Sequence, residues 1–81
     1  MPRYYFDLLD ENAMAIDEEG IELPHIRAAQ AEAAKSLADM ARDAIHTSAS
    51  SKRHHMAIEV RDAGGPIMQV RFTFEIQRLK H

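Results

Sequence analysis

The chain has no cysteine, so neither disulfides nor thiolate metal sites can brace it. At 81 residues it is one domain near the lower end of what folds unaided, and its stability must come from a small core, from association, or from both. No apolar run approaches the ~20 residues that a membrane-spanning helix needs. The opening MPRYYFDLLDE has one arginine and then acids, without an apolar stretch or a small-residue cleavage site. It does not read as a signal peptide, and the cytoplasm is the expected location. Also missing are a GxSxG elbow, a P-loop, a GxGxxG turn and a nucleophilic cysteine. Ser48, Ser50 and Ser51 sit in a polar linker rather than at a strained turn. The domain is expected not to be an enzyme, and no cofactor is expected.

Positive charge is in short supply as well. The net charge is −3 and the sequence pI about 5.9, which disfavours nucleic acid as a partner. The balance is uneven along the chain. Residues 1–23 carry seven acids against Arg3 alone, whereas residues 51–81 carry six cations against three acids. The two ends can neutralise each other within one fold, or form a dipolar surface that steers a partner or a second copy.

What is present is an ordinary globular composition, 46% hydrophobic and 28% charged, with one long helical pattern between strand-like segments. From Ile26, the residues Ala29, Ala33, Leu37, Met40, Ala41 and Ala44 recur at three- and four-residue steps, while Glu32, Lys35, Asp39, Arg42 and Asp43 fall opposite. This predicts a helix within Leu23–His46, begun by Pro24 or capped by His25. Upstream, Tyr4, Phe6 and Leu8 alternate with Tyr5, Asp7 and Leu9. A polar turn at Asp10–Asn12 leads to a short strand, Ala13–Asp17, with Met14 and Ile16 expected to point inward. Downstream, His54–Asp62 and Ile67–Ile76 are joined by Ala63-Gly64-Gly65-Pro66. The last strand puts Met68, Val70, Phe72, Phe74 and Ile76 on one face. Residues 47–53 read as a flexible connection and 77–81 as a loose tail.

The order hairpin, helix, hairpin predicts an α+β fold: β-β-α-β-β, a four-stranded, mainly antiparallel sheet with the helix across one face. Such a sheet is ~19 Å wide and one helix only ~10 Å. A stripe made largely of alanine lets the helix sit close but leaves apolar margins uncovered, the usual mark of an interface. A homodimer or a protein partner is therefore expected. Tyr4, Phe72 and Phe74 are the candidate interface residues.

The polar residues carry weaker signals. His54 and His55 are adjacent on a strand and point to opposite faces; His25, His46 and His81 show no ligand spacing. They read as surface histidines, and no metal site is expected. Asp17-Glu18-Glu19 with Glu22 lacks the alternation of a calcium loop and reads as a solvated loop leading into the helix. The alternative to a self-associating interaction module is a regulatory or antitoxin-like protein touching nucleic acid through Lys52, Arg53, Arg61 and Arg71. Cross-strand pairing of Arg61 and Arg71 with Glu59 and Glu75 accounts for two of those cations more simply.

The opening MPRYYF, the segment DEEGIELP, the Ala-rich helix from Ala29 to Ala33 and the later IEVRDAGG resemble a small bacterial family of uncharacterised proteins, a domain of unknown function. The resemblance spans nearly the whole chain. It implies a single bacterial cytoplasmic domain and brings no activity or ligand. The chain departs from the family pattern at Asp7, where histidine is frequent, at Glu11, where glycine is frequent, and at His25, where aspartate often caps the helix. The first departure weakens any reading of the first strand as a carrier of a catalytic or metal-binding histidine.

Overall fold

Bulky residues at every second position extend several stretches of the chain, and an alanine-rich one coils. The computed structural model describes residues 1–11, 13–47, 53–76 and 79, without the side chains of 45–47. Its elements are β1 (Arg3–Asp10), β2 (Ala13–Ala15), β3 (Ile21–Glu22), α1 (Ile26–Thr47), β4 (Arg53–Asp62) and β5 (Gly65–Glu75). All strand pairs are antiparallel, in the order β2-β1-β4-β5, with β3 against the N-terminal end of β1. The expected α+β architecture, one helix on an antiparallel sheet, is the one found; the two-residue β3 is an addition to it. The described helix is not long and apolar enough to cross a membrane. Residues 48–52 of the connection, and 77, 78, 80 and 81 of the tail, lie outside the described residues.

His25 caps the helix. Its Nδ1 accepts from the Ala28 N–H at 3.2 Å, and its carbonyl accepts from Ala28 and Ala29, so one orphan donor of the first turn is met by a ring nitrogen rather than by a carboxylate. Twenty-two residues follow, spanning ~33 Å at 1.5 Å per residue. Ala29, Ala33, Leu37 and Ala41 bury against Met56, Ile58 and Val60 of β4, with Ala29, Ala33, Ile58 and Val60 wholly inaccessible. Tyr4 from β1 joins this core, and Phe6, Leu8, Met68, Val70 and Phe72 pack around it half-buried.

Register overturns one face assignment. Asp10 pairs with Ala13, so the first turn is a two-residue loop, and Leu9 pairs with Met14. Leu9 alternates with the core-facing Leu8, which puts Met14 on the sheet face away from the helix. Met14 and Ile16 are accordingly exposed, at 65% and 54%, and do not point inward. A second irregularity lies between Val60 and Arg61, whose partners on β5 are Met68 and Pro66. Ile67 is the extra residue of this bulge, so it and Met68 both reach the core cluster.

Candidate interaction surface

On the face away from the helix, β1 and β4 present Asp7 and Arg61, not as direct partners but on a diagonal, since Tyr5 lies opposite Arg61 and Asp7 opposite Glu59. The Asp7 carboxylate accepts from Arg61 Nε at 2.7 Å and Nη2 at 3.2 Å, and from the Asp17 N–H at 3.0 Å. Arg61 also donates to the Asp17 carbonyl at 2.9 Å and lies 4.8 Å above the Tyr5 ring centroid. Asp17 in turn accepts from Phe6, Glu19 and Gly20 N–H groups. Asp17-x-x-Gly20 is thus an Asx-type corner, and Gly20 at φ 71° makes the turn that returns the chain to β1 as β3.

This network is closed on itself. The Arg61 guanidinium holds the Asp7 carboxyl below the usual carboxylate range against the opposing effect of burial, with help from the Asp17 N–H. At Asp17 burial is the largest influence and acts upward, but the N–H groups of Gly20, Phe6 and Glu19 together bring the carboxyl below its ordinary value. The Arg61 guanidinium is raised, chiefly by its bond to Asp7. Buried pairing of this kind fixes geometry more than it adds stability, and here it pins the 17–20 corner to the sheet. Cross-strand pairing is expected to join Arg61 and Arg71 to Glu59 and Glu75; Glu59 shares β4 with Arg61, and the buried Asp7 on β1 is the acid that pairs with Arg61.

The other cations named for phosphate contact separate in the same way. Arg53 pairs with Glu75 directly across the β4–β5 ladder, its Nε 2.9 Å from the carboxylate. Glu75, one of the two acids expected to pair across strands with Arg61 and Arg71, is thus held by Arg53. Arg71 stands exposed without an ion pair among the described residues, and Lys52 lies outside them. His55 is tied to Thr73 Oγ1 at 3.0 Å, and its N–H to the Glu11 carboxylate. Among the described residues no group of histidines and carboxylates has the arrangement of a metal site.

The opposite margin of the sheet is open. β5 is an eleven-residue edge strand, with β4 on one side and no strand on the other among the described residues. Between it and the helix runs a mainly apolar groove of about 380 Å³, lined by Ala34, Leu37, Ala38, Ala41, Val70 and Phe72, with Arg42 and Arg71 also along it. Phe72 and Phe74, both half-buried, stand at this margin with ring centroids 6.0 Å apart. Phe74 stacks on His54, which lies 3.0 Å from Asp10. Ile76, next in the row, is 48% exposed.

Tyr4 is not at this surface. It is 6% exposed, because β3 pairs Ile21 beside it and closes the edge that the sequence left open. Ala34 and Ala38, which also line the groove, lie off the apolar stripe and so carry no amphipathic signal in the sequence. Their signal was their size: small residues flanking Leu37 leave room beside the helix. The family model described as Domain of unknown function (DUF6894) matches residues 3–73, most of the chain. No curated protein and no solved structure matches.

Proposed function

The chain belongs to the DUF6894 family, a domain of unknown function, and from its own residues we propose that it is a small, non-enzymatic interaction module of the cytoplasm. It binds protein along β5, with a second copy as the first partner. The observation that carries this reading is the edge of β5, unpaired among the described residues and running beside a mainly apolar groove. An edge strand offers a row of unpaired N–H and C=O groups that another strand can complete. Main-chain pairing supplies geometry, and the apolar row Val70, Phe72, Phe74 and Ile76 supplies surface that gains by leaving water.

The test is molar mass by sedimentation equilibrium from about 1 μM to about 1 mM, a range that brackets moderate affinities. A reversible dimer is expected. Ile76→Glu, at an exposed position where folding does not require isoleucine, weakens it by about tenfold or more while the circular dichroism spectrum is retained. A wild-type chain that stays monomeric throughout overturns the reading.

A further inference from the structure

We infer that the second copy pairs β5 against β5 about a two-fold axis at Thr73, joining two sheets into one continuous sheet. This rests on the interaction-module reading and names the geometry of its interface. If two identical strands pair antiparallel about an axis normal to the sheet, residues equidistant from the axis stand opposite each other on the same face. The axis must therefore pass through a residue, since a centre between residues would set a helix-facing side chain against an outward-facing one.

Charge selects among the centres. On the face away from the helix, β5 presents Gln69, Arg71, Thr73 and Glu75, all exposed. An axis through Arg71 opposes two guanidinium groups. An axis through Phe72 sets Arg71 against Thr73 and leaves Glu75 against Gln69. An axis through Thr73 sets Arg71 of each chain against Glu75 of the other, two opposite-charge pairs from one strand sequence. Each Glu75 then lies between its own Arg53, which it already holds, and the partner's Arg71, which has no ion pair among the described residues.

The helix-side face agrees with that choice. The same axis sets Phe72 against Phe74 and Val70 against Ile76, covering the half-buried row at the margin and the exposed Ile76. The two apolar grooves then face each other across the axis, between the two helices. Pairing over residues 70–76 completes about six to eight main-chain hydrogen bonds, by the alternation of antiparallel ladders.

The experiment is a charge exchange read by sedimentation velocity and native mass spectrometry. Arg71→Glu alone sets carboxylate against carboxylate at both cross-axis pairs, and Glu75→Arg alone sets guanidinium against guanidinium there. Each variant is expected to weaken self-association by about tenfold or more at low salt. An equimolar mixture of the two forms a heterodimer of distinct mass. One of its cross-axis pairs is the native Arg71 with Glu75 and the other is the same pair reversed, so its affinity is near that of the wild type. Because Glu75→Arg also removes a partner of Arg53, melting of each variant shows that the fold is retained. A wild-type dimer that either charge variant leaves intact, or a mixture that does not restore association, overturns the Thr73 axis while the module reading stands. A wild-type monomer at about 1 mM overturns both.

Discussion

Replacing Gly20 by alanine tests the corner that ties the loop after β2 to the sheet. Gly20 has φ 71°, and a Cβ placed there would stand 2.9 Å from Arg3 Cγ, the Tyr4 carbonyl oxygen and Tyr5 Cε2. The side chains can move aside, but the Tyr4 carbonyl belongs to the ladder with β3. A left-handed conformation costs a residue with a Cβ about 1–2 kcal/mol, and forcing an atom into packed space costs about 1–3 kcal/mol. The stiffer unfolded chain returns about 0.4–1 kcal/mol. The net loss is about 1–5 kcal/mol, which for a domain of this size lowers the melting temperature by roughly 5–30 °C.

Urea unfolding at one fixed protein concentration is the assay, because association makes stability concentration-dependent; the midpoint falls while the slope stays the same. Gly20→Asn separates the two terms. Asparagine tolerates the left-handed region but carries the same Cβ, so it recovers only part of that conformational cost of about 1–2 kcal/mol and none of the steric one. At Gly64 an added Cβ meets only Asp62 Oδ1, at 3.3 Å, and Gly64→Ala stays within about 1 kcal/mol of wild type. Gly20→Ala within about 0.5 kcal/mol of wild type, the usual range of a neutral surface change, would refute the steric argument.

Two further outcomes follow from the packing and the polar network. Asp7 and Asp17 both hold their carboxyl groups below the ordinary 3.8, so the unfolded chain takes up protons first as the solution is acidified. The stability they contribute is present in full above about pH 5 and is lost as the pH falls through 3.8 toward the folded values; Asp17→Asn should flatten this acid limb in urea titrations, and an unchanged limb would exclude it as a source. Ile58→Ala empties a wholly buried site at the centre of the sheet and costs about 2–5 kcal/mol, whereas Met14→Ala, at an exposed position, stays within about 0.5 kcal/mol; denaturant midpoints of the two variants check the pair, and equal losses would return Met14 to the core.

Legibility in the sequence followed the range of the interaction. The helix was readable from Ile26 onward because its alanine stripe repeats within a few residues, and β5 because its alternation is long and unbroken. The same alternation placed Phe72 and Phe74 on the apolar row that borders the groove. Tyr4 carries an identical signal, yet it lies in the core. Its surroundings are set by β3, a two-residue strand with no periodicity of its own.

Taken alone, the amino-acid order determined the kinds of element, their succession and the face of each long element that sheds water. These depend on side-chain periods of two and 3.6 and on turn residues, all local quantities. Only the tertiary structure decided which strands are neighbours, where β2 sits in register and which edge is left open. A two-residue loop put Met14 on the outer face, the opposite of the inward phase expected for it. Pairing of β1 with β4 brought Asp7 to Arg61 across more than fifty residues of chain. Such contacts are chosen by the joint geometry of ladder, loop and helix, and a local pattern holds no record of them.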